Sequence, residues 1–227
     1  MDLFEVFFNL DVLRRSFPLL MLGLWTTILL GVVSIALGLL LGLVLVMLRL
    51  YAARPVRWLA VGYINLFRAL PLLVLLVLIY YALPFLGVRL SSFAAATAAL
   101  SLVSGAYTAE IFRAGIEAVP RGQFEASEAL GLRRWRTMQF VVLPQAIRIV
   151  VPPLTSNGIN VLKDTALASV VAMPDLLKQA TQAQALFANP SPLVGAAMLY
   201  ILLLLPLVAL VGRLTRRPAS AGRQNAG

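Results

Sequence analysis

"EASEALGLRRWRTMQFVVLP", residues 125–144, carries charges, small residues and a glycine, yet it lies between two strongly apolar stretches of the chain. Pro120 suits a helix start, and good helix formers run from Arg121 to Leu130. At helical spacing Arg121, Glu125 and Glu128 share one face. Arg121 and Glu125 form an i,i+4 pair of opposite charge worth about 0.3 kcal/mol. Ala126, Ala129 and Leu130 make a small apolar face on the other side. Gly131 is placed to end the helix in the left-handed conformation. The basic "RRWR" that follows favours the headgroup level of a membrane. Pro144 and the pair Pro152 and Pro153 are expected to break or bend the chain on its way back into the bilayer. In pattern alone this is a surface helix linking two spans, with nothing in it that performs catalysis.

Outward from this loop, apolar runs dominate. The 227 residues are 61% hydrophobic, with a mean hydropathy of +0.92, well above the apolar share of soluble domains. A helical span needs about 20 apolar residues. Five candidates occur: 19–48, 63–83, 93–112, 150–173 and 194–211. The first is longer than a span requires, so it is expected to tilt or to begin in the interface. Arg49, Arg54, Arg57, Arg113, Arg121, Arg133, Arg134, Arg136, Arg148, Arg213, Arg216, Arg217 and Arg223 all fall on one side of a five-span chain. Only Arg14, Arg15, Arg89 and Lys178 fall on the other. The positive-inside rule then places the N-terminus in the periplasm and the C-terminus in the cytoplasm. The expected fold is all-α: a polytopic membrane helical bundle of five transmembrane helices. Residues 1–18 form an N-terminal interfacial segment, 19–213 the transmembrane domain with a cytoplasmic loop at about 114–148, and 214–227 a disordered tail.

Several chemistries are excluded. There is no cysteine and no histidine, hence no disulfide, no thiolate, no imidazole metal site and no histidine-based general base. The net charge of +10 reads as basic loops beside a bilayer and not as nucleic-acid binding. The first residues include Asp2 and Glu5 where a cleavable leader would be basic. No G-x-x-x-x-G-K-[ST] phosphate loop occurs, so the chain is not expected to hydrolyse ATP.

"TSNGINVLKDTALASVV", residues 155–171, is the least membrane-like of the spans. Ser156, Asn157, Asn160, Lys163 and Asp164 fall within about 120° of one another on a helix, and Thr165 adjoins them. Intramembrane charges face a cavity or a partner and mark pathways. The stripe either lines a translocation path or holds helices together by hydrogen bonds. Lys163 and Asp164 suit the carboxylate and ammonium of a zwitterion. Gly158 would let a neighbouring helix approach. Glu110 with Arg113 reads as a structural ion pair. Asp175 and Lys178 read as charge on the outer surface.

The loop resembles the EAA loop of ABC importer permeases. That pattern is Glu-Ala-Ala, three residues, Gly, nine residues, an aliphatic, one residue and Leu-Pro. Here it is Glu125, Ala126, Ser127, then Gly131, then Val141, Leu143 and Pro144, with Ser127 and Val141 as mild departures. "AYTAEIFRAGIEAVPRGQFEA" (106–126) and "INLFRALPLLVLL" (64–76) are similar to the polar amino acid, histidine/glutamine/glutamate-type branch, whose frequent RGTP is RALP here. The resemblance implies a non-catalytic permease of the bacterial inner membrane. It assigns Arg121, Gly122, Glu125, Ala126, Ser127, Gly131 and Pro144 to coupling with a separate ATPase. The implied partners are an ATPase dimer, a second permease (self or paralogue) and a periplasmic or lipid-anchored amino acid-binding protein. No cofactor is implied, since ATP is bound by the ATPase. The shared "KDT" speaks for common architecture, and the lack of an acid near Asn157 speaks against a strictly cationic solute. The rivals are an ABC permease for an opine or other amino acid derivative, and a stand-alone secondary transporter.

Overall fold

The computed structural model describes residues 6–215. Among these residues there is no strand. The helix α1 is Leu10–Tyr51, 42 residues, or about 63 Å, roughly twice the hydrocarbon thickness of a bilayer. Asn9 caps it, its side-chain oxygen accepting from the Asp11 and Val12 N–H groups at 3.1 Å. Residues 10–18 of the expected interfacial segment are continuous with the first span as the opening turns of α1, because Asn9 starts the helix early and it continues through Pro18. Residues 1–5 lie outside the described residues.

The second expected span, 63–83, is not one straight helix. It divides into α2 (Arg54–Ala69) and α3 (Leu72–Val77), the latter prolonged by a π turn, Leu78–Ala82, and a 3₁₀ turn, Leu83–Leu86. The two parts bend by 103° at the break. Pro71 excludes the helical region for the residue before it, and Leu70 is accordingly extended at φ −78°, ψ 129°. α4 (Ser92–Glu117) is the third span, started by Ser91, whose Oγ accepts from the Ala94 N–H.

Next come α5 (Arg121–Ala129) and α6 (Arg134–Thr137), a π turn at Met138–Val142, α7 (Leu143–Asp164) and a 3₁₀ turn at Thr165–Val171. Neither Pro144 nor the Pro152–Pro153 pair breaks this run, which is helical from Arg134 to Val171. Pro144 lies in the first turn of α7, where its missing N–H costs least. α8 (Leu176–Phe187) and α9 (Ser191–Thr215) complete the chain. α9 continues two residues into the expected tail, through Thr215, and the remainder of that tail lies outside the described residues. Among the described residues four helical runs are long and apolar enough to cross a membrane, and the bent pair makes a fifth if it is one span.

α1 and α4 run side by side in the same direction. A Cβ built at Gly38 would sit 2.7 Å from Ser104 Oγ, and one at Gly42 would sit 2.5 Å from Thr108 Cβ. The Gly38-x-x-x-Gly42 spacing lets the two backbones approach. Leu30 of α1, Ala96, Ala99 and Leu100 of α4, Leu75 and Leu76 of α3 and Val161 of α7 then form the main core. Gly158 has no such role: its Cβ would meet only Ile35 Cδ1 at 3.6 Å, ordinary contact distance.

Candidate functional site

α5 forms where the sequence places it. Pro120 precedes its first turn as the extended residue. Gly131 adopts φ +73°. Its N–H donates to the Glu128 carbonyl at 2.9 Å, and the Leu132 N–H donates to that of Ser127 at 3.0 Å. Those two bonds satisfy carbonyls the helix end would otherwise leave open. One side of α5 packs on its own chain. Ser127 is 3% exposed, its Oγ donating to the Gln123 carbonyl at 2.6 Å, and Phe124 packs with Val119, Val142 and Ala146. The other side is open: Arg121, Gly122, Glu125, Ala126 and Ala129 are exposed, as is Leu130 at 79%. Ser127 therefore faces away from the exposed alanines. Among the described residues no ion pair joins Arg121 to Glu125, so the expected i,i+4 bridge is not made. Pro144 is also exposed. Beside α5 runs a groove of about 780 Å³ between Tyr51, Phe124, Trp135 and Met138.

The polar stripe of α7 meets a cavity. It measures about 300 Å³, with Asn157, Asn160, Lys163 and Asp164 on one wall and Leu72, Ser104 and Tyr107 among the residues opposite. Asn157 Nδ2 donates to Ser104 Oγ at 3.1 Å and to Thr108 Oγ1 at 3.3 Å, so the stripe both faces the cavity and bonds to α4. Among the described residues neither Lys163 nor Asp164 has an ion-pair partner. Two residues read for this site lie elsewhere. Ser156 is exposed outside the cavity lining. Thr165 is fully buried, its Oγ1 donating to the Leu162 carbonyl at 2.7 Å.

Below the cavity, Glu110 gathers more than the single partner read from its i,i+3 spacing. It binds Arg113, Arg49 Nη1 at 2.9 Å and Arg68 Nη1 at 3.9 Å, while Arg113 also binds Glu117. The Arg68 guanidinium lies 5.6 Å from the centre of the Tyr107 ring, which connects this cluster to the cavity wall.

Asp175 is not surface charge. It is fully buried and caps α8, its Oδ1 accepting from the Lys178 N–H at 3.0 Å, and the neighbouring Leu176 N–H donates to Thr27 Oγ1 of α1 at 3.0 Å. Burial pushes its pKa up to about 6.

The sequence model of the family described as binding-protein-dependent transport system inner membrane component matches residues 34–220. The chain belongs to that family. It is a transport component of the inner membrane. The chain is 35% identical to the probable glutamine ABC transporter permease protein GlnM of Bacillus subtilis, over 92% of this chain and 97% of that one. It is 38% identical to the arginine transport system permease protein ArtQ of the same species, over 88% and 92%. A crystal structure of an amino acid ABC transporter with histidines superposes with a TM-score of 0.86 at 35% identity, covering 90% of this chain and 96% of that one.

The residues around the cavity that the sequence did not single out are Ser104, Tyr107 and Leu72, which line it, and Thr108, which bonds Asn157. Ser104, Tyr107 and Thr108 recur at α-helical spacing within "SGAYT", and that was the available signal. Leu72 had none, since only the bend at Pro71 brings it to the cavity.

Proposed function

We propose that this chain is the membrane-spanning subunit of an ATP-driven importer for polar amino acids, coupled through α5 to a separate ATPase. The observation that carries the reading is the open face of α5. A charged, Ala-containing helix is held rigidly on one side by Ser127 and Phe124, and its Ala126 and Ala129 surface has nothing on it. Small side chains there permit the close approach of a groove on another protein. Arg121, Gly122 and Glu125 flank that contact, while Gly131 and Pro144 set the turn and the re-entry of the chain.

The cavity suits the cargo. Its volume lies at the small end of ligand sites, and its wall offers a cation, a carboxylate and two amides in one patch. A zwitterion would satisfy Lys163 with its carboxylate and Asp164 with its ammonium, and Asn157 and Asn160 would bond a polar side chain. Glutamine and arginine are the cargoes named for two relatives, which supports this solute class. A second permease, self or paralogue, and a binding protein complete the proposed assembly. The arginine-rich side is the cytoplasmic one. ATP binding closes the ATPase pair and moves α5, which opens the path outward, and hydrolysis resets it.

The test is a C-terminal tag pull-down from native membranes in mild detergent, with and without Ala126→Arg. Co-purification of an ATPase that disappears in the variant is expected. An ATPase retained at full yield by Ala126→Arg, or a chain that purifies alone and transports without nucleotide, would overturn the reading.

A further inference from the structure

The helix α2 lies crosswise to its neighbours. It turns through 103° into the segment Leu72–Leu86, and α3 runs along α4 with Leu75 and Leu76 against Ala96, Ala99 and Leu100. The contacts agree with the bend. Ala60 and Ile64 pack in one cluster with Leu45 and Ala109. Arg68, eight residues after Ala60, binds Glu110, and its carbonyl accepts from the Tyr107 hydroxyl at 3.5 Å. With the Tyr63 hydroxyl donating to the Leu102 carbonyl at 2.9 Å, α2 meets α4 between Leu102 and Glu110, and its crosswise direction follows from the 103° bend away from α3, which packs along α4. Glu110 is the first charge α4 carries after its start, so this level is the polar edge of the apolar layer.

At 3.6 residues per turn α2 has three faces. Ala60 and Ile64 are buried against α1 and α4. Arg57, Arg68 and Arg54 fall within roughly 60° of arc. Leu59 and Leu66 occupy the third face, exposed at 74% and 55%, and Trp58, 74% exposed, stands between them and the arginines. A helix crossing the bilayer has no use for an arc of arginines, whereas one lying in the interface presents a headgroup side, an acyl side and a protein side. The nearby acids are already engaged: Glu110 and Glu117 are bound by Arg49, Arg68 and Arg113. Among the described residues Arg54 and Arg57 have no acidic partner, and Arg57 Nη2 only donates to the Ala52 carbonyl at 3.5 Å.

We infer that α2 is an in-plane helix that docks the headgroup of an anionic phospholipid on Arg54 and Arg57. The guanidinium groups hold the phosphodiester by charge-assisted hydrogen bonds. Trp58 sits at headgroup level, and Leu59 and Leu66 lie against the acyl chains. The crossing part of the second span is then only residues 72–86.

Two measurements test this on the full-length chain in liposomes. With Trp25 and Trp135 changed to Phe, Trp58 is the sole indole. Its quenching by brominated-chain phosphatidylglycerol is compared with that by brominated-chain phosphatidylcholine. Phosphatidylglycerol is expected to be enriched at Trp58, the enrichment falling about five-fold in Arg57→Gln and surviving Arg54→Lys/Arg57→Lys. Equal quenching by the two lipids, no loss in Arg57→Gln, or quenching by neither lipid because protein covers the face, overturns the proposal. The chain has no cysteine, so spin labels can be placed singly at positions 59, 62 and 66. Near-equal depth at the three is expected. A steady change of about 1.5 Å per residue would mean that α2 crosses the bilayer and would sink the inference without any arginine variant.

Discussion

At position 175 a carboxylate is buried at the start of α8, with Oδ1 accepting a backbone N–H and Oδ2 left without a partner. Burial raises its pKa to about 6, above the ordinary value it has in an unfolded chain. The folded protein therefore holds this proton more tightly than the unfolded one. The stability it confers is full below about pH 4, declines as pH rises through about 6, and is flat above. Asp175→Asn keeps a capping oxygen and removes the charge. The variant is expected to exceed the wild type by about 1 kcal/mol at pH 4.5 and by about 3 kcal/mol at pH 7, measured by thermal unfolding in detergent. A wild-type profile unchanged between those pH values would contradict the burial of an ionisable group there. Gly131 is the second residue-scale case. Its φ of +73° penalises any side chain, so Gly131→Ala should cost about 1 kcal/mol. Gly131 was legible in the sequence because a helix stop is a local signal. Asp175 was not, because its burial depends on Thr27 and α1, which are distant in the chain.

At the scale of elements, α5 and the polar stripe of α7 could be read in advance, since helix faces follow from spacing alone. What spacing could not give was which neighbour each face meets. Thr165 adjoins the stripe in sequence but lies off its face, and it is buried in the core at the start of the 3₁₀ turn. Ser104 and Thr108, which hold Asn157, come from a different span. The bend at Pro71 had a visible cause, yet an apolar run on either side of it reads equally well as one helix. Two predictions belong here. Gly42→Val would drive its Cβ into Thr108 and should destabilise the α1–α4 pair by about 1–3 kcal/mol, seen as a lower melting temperature and a lower yield of monodisperse protein. Glu110→Gln would leave Arg49, Arg68 and Arg113 mutually repelling at a half-buried site. It is expected to cost about 1–2 kcal/mol, and a Glu110→Gln melting curve superposed on the wild type would contradict the cluster's structural role.

At the scale of the molecule, the five-span reading survives with its second member bent, and the long first helix is the frame against which α4, α7 and α8 are placed. The cavity lies among α3, α4 and α7; α5 is joined by the Gly131 turn to the helical run that begins at Arg134 and leads into α7, and it packs on that run through Phe124 against Val142 and Ala146. In the proposed mechanism a push on α5 passes through these packing contacts to α7 and so to the cavity wall. The decisive measurement of this link is uptake of labelled glutamine and arginine into proteoliposomes holding the complex purified with this chain, with the binding protein and with ATP inside or outside. The account predicts uptake that needs ATP on the α5 side and is abolished by Ala126→Arg while the variant remains folded and inserted. Undiminished uptake by Ala126→Arg, or uptake by this chain alone without nucleotide, would contradict it.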